Sequence, residues 1–265
     1  PASWVARSMN SYTAKIMNRL KDKVALITGA GSGFGAGIAK KFVEEGARVG
    51  IVDINDQAAK KVAQKLGGCA LAITADIREK SEIERARDQL NQWSGLVSIL
   101  VNNAGIGHLP TEMEDLSEEQ FDHITAVNMR SIFLTSKVII PQMKSEGRGC
   151  ILNIGSTAGI SPRPNLTWYN ASKGWVITAT KSMAIELAPY NVRVNALNPV
   201  AGETPLLSTF MGEDTPQTRK KFLSTIPLKR FSTPEDLGLA AVYLCSDESS
   251  LVTGTALEID GGRTI

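Results

Sequence analysis

Val24-Ala25-Leu26-Ile27-Thr28-Gly29-Ala30-Gly31-Ser32-Gly33-Phe34-Gly35 is the stretch on which the fold turns. Its first five residues are apolar or β-branched, a run that suits a parallel strand covered on both faces. Glycines then stand at positions 29, 31, 33 and 35, and residues 34–45 read as a helix. Strand, glycine loop and helix in that order suit a pyrophosphate. Glycine lets the chain turn sharply and come close to a ligand. The start of the next helix offers free N–H groups and a partial positive charge. The spacing is G-x-x-x-G-x-G at Gly29, Gly33 and Gly35, not the general dinucleotide pattern G-x-G-x-x-G. No Lys-Ser or Lys-Thr pair follows, which disfavours a nucleoside-triphosphate loop.

Working outward, residues 49–52, 70–73, 99–101, 151–154 and 192–197 form further short apolar runs. Residues 56–66, 81–93, 117–145 and 168–189 read as helices between them. Alternating strands and helices predict an α/β fold with a doubly wound parallel sheet, a Rossmann fold of about seven strands with helices on both faces. Gly46 and the Gly67-Gly68 pair stand where helices should stop. Ser117 with Gln120 three residues on reads as a capping box, and Pro189 ends the helix that begins at Trp168. Residues 20–265 are expected to form one domain, with a substrate lid around 203–227. That stretch holds Pro205, Pro216 and Pro227 and the basic run Arg219-Lys220-Lys221. Residues 1–19 are expected to be a disordered N-terminal extension or tag, with Met17 as an alternative start.

Composition narrows the function classes. The chain has 265 residues, 43% hydrophobic and 21% charged, an ordinary globular balance. A net charge of +2 gives no reason to expect nucleic acid as a partner, and no apolar run is long enough to span a membrane. Cys69, Cys150 and Cys245 are widely spaced, with neither metal spacing nor a disulfide framework. They are expected to be reduced, which implies a cytoplasmic protein. No metal site is expected.

Asp53 ends the second apolar run, eighteen residues beyond Gly35. A carboxylate there can bind the ribose hydroxyls of a dinucleotide and would repel a 2′-phosphate. Neither Ser32 nor Ile54 is a cation that could neutralise that phosphate. The expected cofactor is therefore NAD(H), not NADP(H).

Tyr169 and Lys173 are four residues apart, on one helix face. A phenol has a pKa near 10, so it needs help to act as a base at neutral pH. A nearby ammonium would stabilise the phenolate. Lowering it by about three units takes roughly 4 kcal/mol. Ser156 follows the run 151–154, at the carboxyl end of a parallel strand, where such sheets bind ligands. Its hydroxyl could donate to a developing alkoxide.

In this order and spacing the chain resembles the classical short-chain dehydrogenase/reductase family. The motifs are the loop 28–35, Asp76 after the third strand, Asn102-Asn103-Ala104-Gly105 after the fourth, Asn128, Ser156, Tyr169, Lys173, Asn198-Pro199 and Asp260-Gly261-Gly262. The resemblance implies an oxidoreductase acting on CH–OH groups by hydride transfer, with Ser156, Tyr169, Lys173 and Asn128 as the catalytic set. Asn128 would hold a water that links Lys173 to solvent. It implies cofactor contacts from Gly29, Gly31, Ser32, Gly33, Phe34, Gly35, Asp53, Ile54, Asp76, Ile77, Asn103, Ala104, Gly105, Tyr169, Lys173, Pro199, Gly202 and Thr204. Asp76 and Ile77 would meet the adenine, and Thr204 the nicotinamide amide. It also implies a homotetramer. Three positions depart from the family pattern. Val200 follows Pro199 where Gly is usual. Gly202 stands where a branched apolar residue is usual, so the nicotinamide loop is expected to be looser. Gly155 stands in place of a frequent Ser.

The resemblance implies a small-molecule substrate with an alcohol or carbonyl. Its pocket is expected among His108, Thr157, Ala158, Arg163, Trp168, Leu206, Phe210 and Met211. Arg163 suits an anionic group, although a surface arginine in a loop would also read this way. A small secondary alcohol, sugar, polyol or hydroxy acid fits NAD(H) preference. A 3-oxoacyl thioester carried on acyl carrier protein or coenzyme A is the alternative, with Arg219, Lys220 and Lys221 as a basic entrance. A dinucleotide sensor without catalysis is disfavoured, because all four catalytic positions are filled.

Overall fold

The computed structural model describes residues 18–265. Seven parallel strands form one sheet in the order β3-β2-β1-β4-β5-β6-β7. They are β1 (Val24–Thr28), β2 (Arg48–Asp53), β3 (Ala70–Thr74), β4 (Ile99–Asn102), β5 (Gly149–Ile154), β6 (Val192–Pro199) and β7 (Ala256–Ile259). The order reverses between β1 and β4. A crevice must open there at the carboxyl ends of the strands, because the connecting loops leave in opposite directions.

Alternation along each strand sends side chains into two cores. Ala25 and Ile27 of β1 join Ile38, Ala39 and Phe42 of α1 (Gly33–Glu44) and Ala59 and Ala63 of α2 (Asp56–Leu66). Leu237, Ala241 and Val242 of α9 (Pro234–Cys245) complete that layer. Val24 and Leu26 face Ile83 and Leu90 of α3 (Lys80–Ser94) and Leu134 and Ile139 of α5 (Ser131–Glu146). Ala184 and Leu187 of α6 (Thr167–Leu187) close the second layer. A buried polar chain ties the two middle strands to their helices. Asn102 donates to Asn153, Asn153 to Thr180 of α6, and Thr135 of α5 to Asn102.

Several expectations need refining. The helix expected over 117–145 is α4 (Glu118–Thr125) and α5 joined by a π-helical turn, Ala126–Arg130. Ser117 caps α4 by accepting from the Gln120 N–H, but Gln120 meets the Ser117 hydroxyl instead of its backbone N–H. Residues 203–227 carry α7 (Leu207–Met211) and α8 (Pro216–Ser224) and have their own apolar cluster with Val200 and Phe231. Two elements were not located from the sequence. One is the seventh strand. The other is α9, which starts with a full capping box between Thr233 and Asp236. Ordered contacts reach two residues before Leu20. Asn18 and Arg19 donate backbone N–H groups to Glu45, and the Arg19 guanidinium pairs with the same carboxylate. The rest of the expected extension, including Met17, lies outside the described residues. Cys150 and Cys245 are buried free thiols, with Cys150 Sγ donating to the Leu244 carbonyl, while Cys69 is exposed. Among the described residues no helix is long and apolar enough to cross a membrane.

Candidate active site

The crevice at the β1–β4 reversal is a groove of about 490 Å³. Gly29, Ser32, Gly33 and Phe34 line one side, Asp53 and Ile54 the next, and Asp76, Ile77, Asn103, Ala104, Gly105 and Thr204 the remainder. Gly33 has φ +53°, a left-handed turn that aims the chain into α1. Ser32 is the N-cap of this twelve-residue helix, yet its side chain makes no capping bond. The free N–H groups of the first turn and the Ser32 hydroxyl are thus left for a ligand.

Gly31 and Gly35 do not face the groove; they set its shape. A Cβ on Gly35 would lie 2.4 Å from the Gly29 carbonyl oxygen, and one on Gly31 would lie 2.8 Å from Asp53 Oδ2. Asp53 is held in place by N–H donation from Gly31 and Asn55, both at 2.9 Å. Asn103 braces the loop: its amide donates to the Thr28 and Gly29 carbonyls, and its own N–H donates to Thr28 Oγ1. The fit to a dinucleotide is therefore good at the loop and at Asp53. At the far end, Asp76 lines the groove, but its carboxylate is clamped by Arg78, which holds it below the usual carboxylate range. Arg78 and His123 also line this end.

Beside the groove lies a chamber of about 110 Å³. Phe34, Asn103, Gly105, Thr204 and Leu206 belong to both walls, so the two spaces adjoin. The chamber brings together Ser156, Tyr169 and Lys173, all buried. Ser156 stands just beyond β5 with extended backbone (φ −169°), and its hydroxyl accepts from the Ala158 N–H. Tyr169 and Lys173 lie one turn apart on α6, as their spacing requires. Lys173 Nζ donates to the Ile154 carbonyl at 2.9 Å and stands 5.9 Å from the Tyr169 ring centroid.

Burial pushes the Tyr169 phenol up to about 12, and the Ser156 hydrogen bond only partly opposes it. Burial also pushes Lys173 down to about 8. Removing solvent penalises both charged forms at once.

Asn128 occupies the π-helical turn, a common device for aiming a functional side chain. Its Oδ1 accepts from the Ile106 N–H, and its Nδ2 donates to the Ile106 carbonyl and to Ser172 Oγ. Most of its bonding capacity therefore clamps the Ile106 loop to α6, more than the simple water-holding role implies.

On the substrate side, Thr157, Ala158, Arg163, Leu206 and Phe210 line the chamber as expected, with Pro199 and Gly202. Three expected residues do not. His108 is buried, with Nδ1 against the Leu109 carbonyl. Trp168 turns outward to donate to the Met113 carbonyl and to meet the Phe121 ring edge-on. Met211 packs into the apolar cluster with Val200, Leu207, Ile226 and Phe231. Leu166, Leu207 and Phe222 line the chamber in their place. Gly202 is not loose. The Phe34 ring sits against it, with Cζ 2.1 Å from where a Cβ would be, so a neighbouring side chain fills the missing volume. At Gly155 the Asn198 amide takes the same advantage, 2.1 Å from a would-be Cβ.

A family model described as enoyl-(acyl carrier protein) reductase matches residues 29–264. A 4-formylbenzenesulfonate dehydrogenase of Comamonas testosteroni is 41% identical over 93% of this chain and 99% of its own. A cyclopentanol dehydrogenase of Comamonas sp. is 36% identical over 94% and 99%. Among solved structures, a 3-ketoacyl-(acyl-carrier-protein) reductase from Brucella melitensis complexed with NADH is 51% identical, covers 93% of this chain and 100% of its own, and superposes with a TM-score of 0.89. The chain belongs to the short-chain dehydrogenase/reductase family, whose matched members are oxidoreductases.

Proposed function

We propose that this protein interconverts a small secondary alcohol and its ketone with NAD(H), using Tyr169 as the proton donor and acceptor. The observation that carries this reading is the adjacency of the two spaces. The groove guarded by Asp53 shares five wall residues with the chamber that holds Ser156 and Tyr169. NAD(H) supplies or accepts the hydride when bound, and Gly29, Ser32, Gly33, Asp53, Asn103 and Thr204 would hold it.

The chain's own residues do the rest. Ser156 and Tyr169 donate to the substrate oxygen, so charge that develops there meets two preorganised O–H groups. A phenol near 12 in a buried site is a proton donor at neutral pH, which suits carbonyl reduction. For oxidation it must lose its proton. The cation that makes this possible is Lys173 in its ammonium form, present below about pH 8. Asn128 positions α6 through Ser172 and the loop at Ile106.

The chamber's size favours a small substrate: a cavity of this order accepts about one benzene-sized group. A 3-oxoacyl thioester remains the second reading, favoured by the Brucella relative's name. Its basic entrance is weaker than the sequence implied, because Arg219 is paired with Asp214. We further propose a cytoplasmic homotetramer. The exposed Phe121, Phe133, Trp168, Trp175 and Ile185 on α4 to α6 are apolar surface suited to subunit contact.

The test is absorbance at 340 nm with NAD⁺ or NADP⁺ against secondary alcohols, polyols and hydroxy acids, with 3-oxoacyl thioesters run as reductions. Turnover of a small alcohol with NAD⁺ supports the reading. Turnover only of thioesters, or only with NADP(H), overturns it.

A further inference from the structure

We propose that the substrate carries a carboxylate or sulfonate, held at the rim of the chamber by the guanidinium of Arg163 with Arg263 beside it. The proposal rests on the alcohol–ketone reading of the same chamber and names the substrate's second functional group.

Arg163 lines the chamber that Ser156 and Tyr169 line. Its place is fixed with respect to Tyr169, because Asn170, the next residue of α6, donates its amide to the Arg163 carbonyl at 2.8 Å. Its guanidinium lies 4.4 Å over the Phe222 ring, and Nη2 donates to Thr225 at 3.3 Å. Stacking and one neutral acceptor use only part of a group with five donors. Among the described residues no carboxylate lies within salt-bridge distance, unlike Arg19, Arg78, Arg219 and Arg230, each paired with an acid.

The charged neighbour of Arg163 is another cation, Arg263. Arg263 donates Nη1 to Ser161 at 3.0 Å, and its Nε is buried without a partner. Two partly buried guanidiniums near each other repel and lose hydration. Burial and Arg263 both pull Arg163 below the usual guanidinium range, yet an arginine stays charged at neutral pH. Such a charge is costly without a counter-ion. A ligand oxyanion would meet both cations with charge-assisted, bidentate hydrogen bonds. A fixed cation in the wall of a small chamber selects for an anion more strongly than solvated lysines at an entrance.

The experiment compares isosteric pairs on the protein saturated with NAD⁺, where a ketone binds but cannot be reduced. Calorimetric titration uses acetoacetate against acetoacetamide, and 4-acetylbenzoate and 4-acetylbenzenesulfonate against 4-acetylbenzamide. We expect at least one anion to bind ten-fold or more tightly than its amide. Carboxylate and sulfonate arms show which oxyanion is preferred. Arg163→Gln should bring the ratio near one while NAD⁺ affinity stays within about two-fold, and Arg263→Gln should reduce it less. Lys220→Gln with Lys221→Gln, which removes exposed charge outside the chamber, should leave the ratio intact. If no anion outbinds its amide, or if the ratio survives Arg163→Gln, the proposal is overturned. Reduction of the amides with NADH without any anion preference would overturn the proposal and leave the alcohol–ketone reading standing. An Arg163-dependent preference without reduction of any ketone would do the reverse.

Discussion

The cofactor groove and the substrate chamber share a wall but are built differently. The groove is made by the carboxyl ends of β1, β2 and β4 and the start of α1, elements seated in the two large cores. The chamber's outer wall comes from residues 203–227, two short helices over a small cluster of Val200, Leu207, Met211, Ile226 and Phe231. One is fixed by sheet topology, the other by a few local contacts. Variants should therefore act on binding or chemistry in the groove and its catalytic edge, and on specificity in the lid.

The largest expected effect is at Lys173, where the two regions meet. Lys173→Met should lower kcat by on the order of 10²–10⁴, the usual scale for a proton-transfer group. It should also stabilise the fold. The lysine titrates near 8 in the folded protein against 10.5 in the unfolded chain, so the folded state binds fewer protons between those values. Wild-type stability should then rise with pH through that window, and the desolvation cost, roughly 3 kcal/mol, is fully present below it. Thermal unfolding from pH 7 to 10.5 checks this. A Lys173→Met variant no more stable than wild type at pH 7 would break the account.

A smaller effect is expected at Asp53. Replacing it with Asn should shift the ratio of kcat/KM for NAD⁺ over NADP⁺ by about 10- to 100-fold toward NADP⁺, since a like charge facing the 2′-phosphate is removed. Cofactor titration of the two proteins measures it.

Smaller still is the coupling between Phe34 and Gly202, which joins groove to chamber. Gly202→Val alone should clash with the Phe34 ring, and Phe34→Ala alone should leave a gap. Together they should restore NADH affinity, with an interaction energy of about 1 kcal/mol. Additive losses in the double-mutant cycle would mean the ring is not filling the missing side chain. Least is expected of Arg19→Ala, about 1 kcal/mol of stability by chemical denaturation, because its partner Glu45 keeps two backbone donors.

The same contrast explains what was legible in the sequence. The strand ends and Asp53 were readable because apolar runs and glycine punctuation reflect the buried sheet. Tyr169 and Lys173 were readable because helix geometry alone puts them on one face. His108, Trp168 and Met211 were misplaced because loop and lid residues follow no period that says which way a side chain turns. Phe222 was missed for the same reason. The pairing of Lys173 with Tyr169 is visible in sequence, whereas the burial that penalises both charged forms is not. Helix α9 was legible and overlooked: Thr233-Pro234-Glu235-Asp236 is a helix start. At Gly155 and Gly202, substitutions that look like losses are filled by Asn198 and Phe34 from elsewhere in the chain. A pattern read one position at a time does not reveal such compensation.

The most direct test of the central claim compares wild type with Tyr169→Phe on the best alcohol of the panel, with NADH affinity measured on both by fluorescence. The phenyl ring preserves the contact with Phe210, whose centroid lies 4.7 Å away, and removes only the hydroxyl. The account predicts NADH affinity within about two-fold and a fall in kcat on the order of 10²–10⁴. Unchanged turnover with intact NADH binding would contradict it.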